Sequence, residues 1–215
     1  GYMLVLAGEQ AGLSDLVAAI GFGWDGVGFD KFIPTVSQWT TGNGNATKEG
    51  LEVFSKLLIY LSSPDGEIDS AEVSAWMPSP QDLAKGDKTF YMYSFYIWNT
   101  LALGARAFER LERDDDAAAA AQLGIDLHRK KFVVADCHCV LGRVLARRGD
   151  LAGAEVAFRS AIKVAQEARL PLLELIAGRE LRKHVASAAS DGEATIDTAC
   201  ARMKKERAQF ASLLA

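Results

Sequence analysis

The feature that most constrains this chain is its second half, which is rich in alanine and leucine and almost free of proline. Between residues 87 and 215 the only proline is Pro171, and apolar residues recur every three or four positions. That spacing places apolar side chains on one face of an α-helix. It predicts an all-α fold with helices at about 88–112, 116–130, 132–148, 151–168, 171–189 and 193–213.

Short polar stretches separate these predicted helices. "RDDD" at 113–116, "RRGD" at 147–150 and "SDGE" at 190–193 each contain an aspartate, which caps helix N-termini, and the last two contain a glycine. Six helices with such short connections predict three antiparallel helical hairpins. Gly104, Gly142 and Gly178 each lie in the first helix of a hairpin, 38 and 36 residues apart. This period is typical of α-solenoids, and glycine at these positions predicts close approach of neighbouring helices.

The middle hairpin, residues 135–168, resembles a tetratricopeptide repeat. The matching positions are a Leu-Gly pair, an apolar residue, a glycine at the turn, and spaced alanine, aromatic and alanine residues: Leu141, Gly142, Leu145, Gly149, Ala154, Phe158 and Ala161. His138 and Gln166 stand where the family usually has an aromatic residue and a proline, and the flanking hairpins match fewer positions. The resemblance implies a TPR-like stack of hairpins whose concave surface holds a peptide or another subunit, with no chemistry of its own.

Residues 1–86 follow a different pattern, because they are rich in glycine, proline, serine, threonine and asparagine. We predict a smaller, loop-rich helical region here, followed by the helical repeat domain at 87–215. Its clearest helix ends at Leu61 and carries Leu51, Phe54 and Leu58 on one stripe. Shorter helices are predicted at 14–20 and 69–76, and "MPSP" at 77–80 interrupts the helical pattern.

An aromatic stretch at 90–98 begins the predicted repeat domain, and six of its nine residues are aromatic. A membrane span needs about 20 apolar residues, and the run is interrupted by Ser94, Asn99 and Thr100, so membrane contact is not expected. The net charge of −4 and the acidic neighbours argue against nucleic acid. We predict a buried helix, with an exposed aromatic face that docks a partner as the alternative.

The loop at 61–72, "LSSPDGEIDSAE", resembles a degenerate EF-hand. Asp65, Asp69 and Glu72 occupy the fifth, ninth and twelfth positions, and Gly66 occupies the sixth, where the motif turns sharply. The first position is Leu61, which offers no oxygen ligand. Two interpretations stay open: a calcium site formed by Asp65, Asp69 and Glu72, or a simple turn in which Asp69 or Ser70 caps a helix.

The remaining candidate residues point to no enzyme. Cys137 and Cys139 in "DCHC" would diverge on a helix, so they and Cys200 are predicted to be buried thiols rather than metal ligands. We find no nucleophile, zinc or phosphate-loop motif, and we predict no catalytic residue, no cofactor and no metal outside the calcium alternative. The odd cysteine count argues against a disulfide-rich secreted scaffold. The compartment stays open, with the cytosol or the interior of an organelle favoured. The sequence predicts a non-enzymatic module for binding a protein or peptide, as a subunit or fragment of a complex; the alternative is a calcium-responsive regulator.

Overall fold

The computed structural model describes residues 56–57, 59–64, 66–84, 100–127 and 130–214. Within these ranges the regular structure is entirely helical, which confirms the predicted all-α class. The chain divides into two compact units, Gly1–Arg113 and Asp114–Ala215. The boundary predicted from the sequence at 86/87 stays a prediction, because residues 85–99 lie outside the described residues. The predicted helix at 14–20 and the aromatic stretch at 90–98 also lie outside them.

The described part of the first unit consists of short helices with buried apolar residues. It contains helix α1, Ser70–Trp76, helix α2, Thr100–Arg110, and helical segments at 59–62 and 80–84. Eight of the eleven residues of α2 are buried. At its end, Arg110 donates to the main-chain carbonyls of Tyr60 and Ser63, the latter at 2.9 Å. These carbonyls close the segment at 59–62, so Arg110 caps that helix end.

The second unit is a series of helices in which each packs against the next: α3, Asp114–Leu127; α4, Lys131–Arg147; α5, Leu151–Glu167; α6, Pro171–His184; and α7, Ala189–Met203. A 3₁₀ turn at Ala186–Ala188 precedes α7, and a second at Arg207–Phe210 precedes α8, Ala211–Leu214. The neighbours run antiparallel: Arg147 at the end of α4 pairs with Asp114 at the start of α3, at 2.6 Å. Helix α4 also contacts α6, two helices further on.

The helix boundaries of the middle hairpin agree with the prediction to within a residue, because local signals fix them. Gly149 has φ +81° at the turn, and the Asp150 side chain accepts from the Gly153 amide as the N-cap of α5. Pro171 occupies the first turn of α6, where its missing N–H leaves no hydrogen bond unmade.

The predicted turn at 190–193 is wrong, and so is the continuous helix at 193–213. Helix α6 ends at His184, the connection is Val185–Ala188, and "SDGE" lies inside α7. Helix α7 then stops at Lys204, whose φ of 54° is left-handed, and residues 204–214 turn back on the preceding helices. Gly192, predicted to end a helix, is buried within one.

Candidate functional site

Helices α4 and α6 are the central elements of the second unit, and the candidate site is built on them. Only Lys131 and Arg147 are exposed on α4, and only Lys183 on α6. Both helices therefore pack against neighbours on most sides. Where a polar side chain is buried on such a helix, its partners must come from adjacent helices or from its own.

The residues of the repeat-like pattern pack together in the α4–α5 hairpin. Ala154, Phe158 and Ala161 are fully buried in one cluster with Cys139 and Leu181. The Phe158 ring lies directly on Gly142, where a Cβ would come within 2.5 Å of its Cε1 atom. Phe158 also stacks on His184 of α6, with ring centroids 5.9 Å apart. This side chain therefore links α4, α5 and α6.

The three periodic glycines allow close contacts, but each of a different kind. A Cβ at Gly178 would lie 3.0 Å from the Gly192 carbonyl, so α6 and α7 meet backbone to backbone. Gly142 receives a ring, and Gly104 receives the Leu83 side chain, whose Cδ1 atom would lie 2.3 Å from an added Cβ. Helix–helix backbone approach is therefore confirmed at Gly178, whereas the other two positions accept side chains.

Two fully buried carboxylates lie on α6. Glu174, with 0% exposure, accepts from Gln166 Nε2 at 2.9 Å and from Arg202 Nη1 at 2.7 Å. Gln166 belongs to α5 and Arg202 to α7, so this carboxylate joins three helices. Arg202 supplies the opposite charge, and both partners donate hydrogen bonds to the carboxylate. Burial of a carboxylate is tolerable when it is paired in this way.

The second carboxylate, Glu180, is 1% exposed and surrounded by cations. Arg179 Nε donates to its Oε1 at 2.9 Å, and His184 Nε2 lies 3.3 Å from its Oε2. Burial raises the pKa of Glu180, but the hydrogen bond from His184 and the charges of Arg143 and Arg179 outweigh it. The net pKa lies far below the usual range, so the group is ionised at neutral pH.

Two arginines of α6 hold the residues that turn back after α7. Arg179 Nη1 donates to the Leu213 carbonyl at 2.6 Å, and Arg182 Nη2 donates to the Leu214 carbonyl at 2.7 Å. Phe210, Leu213 and Leu214 pack with a cluster that contains Leu175 of α6 and Ile196 of α7. We call residues 204–214 the returning segment.

None of the motifs in the sequence includes Glu174, Glu180, Arg179 or Arg182. A usable signal was present for Glu174, because Ala177, Gly178 and Leu181 follow it at positions +3, +4 and +7, on the stripe of a buried face. The partner Arg202 lies 28 residues away, and no local pattern connects the two.

The loop at 61–72 is a turn that caps α1 in its described part. Asp69 Oδ1 accepts from the Ala71 amide at 2.8 Å as the N-cap, and Gly66 has φ +82°. Leu61 is buried, and the Ser63 hydroxyl donates to the Ile59 carbonyl at 2.9 Å. Asp65 lies outside the described residues, so the calcium interpretation of Asp65, Asp69 and Glu72 stays a prediction.

The three thiols have the predicted burial. Cys137, Cys139 and Cys200 are free and buried. His138 is half-buried on α4, and desolvation lowers its pKa, which favours the neutral ring.

In the described ranges, histidines, cysteines and carboxylates form no group of three placed to hold a metal ion. None of the helices in those ranges combines the length and apolarity that a membrane span requires.

No protein-family model matches the chain, and neither the curated proteins nor the solved structures give a significant match. The resemblance of residues 135–168 to a tetratricopeptide repeat therefore rests on the seven pattern residues alone.

Proposed function

We propose that this chain is a non-enzymatic interaction or assembly module whose second unit is a TPR-like stack of helical hairpins. The observation that carries the proposal is which helices contact each other. Helix α4 packs against α5, its partner in the hairpin, and against α6, the first helix of the next hairpin. Repeat stacks have this arrangement because a single hairpin cannot bury its apolar face alone.

The pairing of two buried carboxylates with neighbouring helices also supports this function. Glu174 connects α5, α6 and α7, and Glu180 is held by cations of α4 and α6. These carboxylates are saturated with partners from the protein itself. Their arrangement suits a rigid scaffold, since ion pairs made between helices fix how one hairpin lies on the next.

Two exposed aliphatic side chains of α5 offer a place to test partner binding. On α5, Leu151 is 51% exposed and Val156 is 66% exposed, next to the exposed Ala152. Leu151 and Val156 are the exposed large apolar side chains of α5, so charged substitutions there test whether this helix contacts a partner.

The test is quantitative affinity capture from the native source, with the full chain as bait, followed by mass spectrometry. We expect at least one protein to be recovered in near-stoichiometric amount with the unaltered chain. The double variant Leu151→Glu/Val156→Glu should reduce its recovery at least tenfold if α5 is the contact surface. Lys163→Glu, an exposed change on the same helix, is the matched control. Full recovery with the double variant would place the contact elsewhere, and failure to recover any specific partner would contradict the proposed function.

A further inference from the structure

The returning segment covers a surface that α6 and α7 form together. After the left-handed Lys204, the chain forms the 3₁₀ turn Arg207–Phe210 and the single helical turn Ala211–Leu214. Phe210, Leu213 and Leu214 sit on a floor made by Leu175, Ile196, Ala199, Cys200 and Met203. The apolar residues of the segment are spaced three and four positions apart, which is the pattern by which an amphipathic helix occupies a groove.

Two arginines fix the end of this bound helix. The last carbonyls of a helix have no partner within it, and here Arg179 and Arg182 donate to those of Leu213 and Leu214 at 2.6 and 2.7 Å. The surface therefore recognises main-chain atoms as well as apolar side chains. Main-chain recognition does not depend on the sequence of the segment that is bound.

The two arginines are also held by carboxylates of α6 and α7. Arg179 is paired with the buried Glu180, and Arg182 donates to Glu193 of α7 at 3.0 Å. Glu193 also accepts from Arg207 of the segment, but both carboxylates belong to α6 and α7 and would still hold the two guanidinium groups if the segment left. The surface is thus a preformed receptor, and the returning segment is one occupant of it.

The segment has little regular structure of its own, although Arg207 pairs with Glu193 and Asp197 of α7. Helix α8 has only four residues, and helices that short are not stable on their own in water. Ala208, Gln209, Ala211 and Ser212 are exposed, and Lys204 adopts a left-handed conformation that costs a non-glycine residue about 1–2 kcal/mol. Elements with few buried contacts open at lower free energy than the helices beneath them.

We propose that the surface of α6 and α7 under the returning segment is a docking site for a short amphipathic helix of a partner protein. The partner helix carries large apolar residues at spacings of three and four, and its terminal carbonyls accept from Arg179 and Arg182. The returning segment occupies the site in the free chain and is displaced by the partner. This inference rests on the proposed function and adds to it the location, the kind of partner and a built-in competitor.

A partner helix fits this site better than the same segment from a second copy. Residues 204–206 alone connect α7 to the 3₁₀ turn, and three residues span at most about 10 Å. Exchange between copies would hold two α7 ends side by side, each carrying Lys204 and Lys205. The resulting repulsion between like charges opposes exchange.

The test uses the full chain and a fluorescein-labelled peptide with the sequence of residues 206–214 as the probe. Phe210→Ser/Leu213→Ser loosens the returning segment and leaves α6 and α7 unchanged. We expect this chain to bind the probe at least tenfold more tightly than the unaltered chain by fluorescence anisotropy. Ala208→Ser/Ala211→Ser, which changes two exposed residues of the same segment, should bind like the unaltered chain. A probe carrying both serine substitutions should not bind the loosened chain.

Equal binding of the probe to the loosened and unaltered chains would overturn the proposal, and so would dimerisation of the loosened chain without probe binding. Hydrogen exchange on the unaltered chain gives an independent check that requires no variant: residues 207–214 should exchange at least 100-fold faster than α6 and α7, and equal protection would contradict displacement. Probe binding without any captured native partner would leave the docking site standing and contradict only the wider function.

Discussion

At the scale of single residues, Gly192 shows how a tertiary contact can require a glycine inside a helix. It lies within α7, and a Cβ there would come within 2.6 Å of the Gly178 carbonyl and 2.7 Å of the Arg182 amide nitrogen. Both atoms belong to the backbone, so neither can rotate away. Alanine at this position would force α6 and α7 apart.

We therefore expect Gly192→Ala to destabilise the chain by about 1–3 kcal/mol, although alanine has the better helix propensity by about 1 kcal/mol. Urea unfolding monitored by circular dichroism measures the change. Thr198→Ala, an exposed substitution in the same helix, should be neutral or slightly stabilising. A stabilised Gly192→Ala variant would show that the two helices are not in backbone contact.

Glu180 gives a residue-scale prediction about pH. Its folded-state pKa lies below its unfolded value of 4.5. The stabilisation it provides is therefore complete above pH 4.5 and declines as the pH falls below that value. Glu180→Gln should lower the unfolding free energy at pH 7 by about 2–3 kcal/mol, because it removes the charged hydrogen-bond partner of the half-buried Arg179 and the counter-charge of Arg143.

The difference between the unaltered chain and Glu180→Gln should shrink by about 1.4 kcal/mol for each pH unit below 4.5. Urea unfolding of both chains between pH 7 and 3 measures it. Burial of the neutral His138 ring also lowers the unfolding free energy at acid pH. This loss is the same in the unaltered chain and in Glu180→Gln, so it cancels in the difference between them. Glu167→Gln, at a half-exposed carboxylate 3.7 Å from Lys131, should change the unfolding free energy by no more than about 0.5 kcal/mol. A difference that is independent of pH would contradict the role given to Glu180.

At the scale of elements, the sequence predicts best where the signals are local. The α4–α5 hairpin was predicted to within a residue because Gly149 and Asp150 determine the turn through backbone conformation and capping. "SDGE" offers the same residue types, yet Asp191 and Gly192 lie in a helix. The decisive interaction there is the contact of Gly192 with Gly178 on α6, which no window of neighbouring residues contains.

The contact between α4 and α5 depends on the fit of one ring against one glycine. Gly142→Ala alone should cost about 1–3 kcal/mol, because the Phe158 ring would lie within 2.5 Å of the new Cβ. In a Phe158→Leu background the same substitution should cost less, since the smaller side chain leaves room. A double-mutant cycle by urea unfolding measures the coupling, which we expect to be about 1 kcal/mol or more. Additive effects would indicate that ring and glycine do not form the hairpin contact.

The loop at 61–72 is an element whose function can be tested directly. We expect calorimetry to detect no calcium binding at micromolar concentration, because the first ligand position is the buried Leu61 and the third, Ser63, already donates to the Ile59 carbonyl. Glu72→Gln should then behave like the unaltered chain. Micromolar binding that disappears in Glu72→Gln would instead support the calcium-responsive alternative.

At the scale of the whole molecule, two compact units raise the question of whether the chain unfolds in one step. All four tryptophans, Trp24, Trp39, Trp76 and Trp98, lie in the first unit. Tryptophan fluorescence therefore reports on Gly1–Arg113, whereas far-ultraviolet circular dichroism reports on the helices of both units. The distribution of this residue type supplies a unit-specific probe without any labelling.

Because each unit is compact by itself, we expect them to unfold as separate cooperative transitions. Glu180→Gln, in the second unit, should lower the urea midpoint seen by circular dichroism and leave the fluorescence midpoint unchanged. Leu83→Ala, which removes the buried side chain that packs on Gly104, should lower the fluorescence midpoint. If each variant moves both midpoints together, the units share one transition, and the stability of the helical stack then depends on residues far outside it.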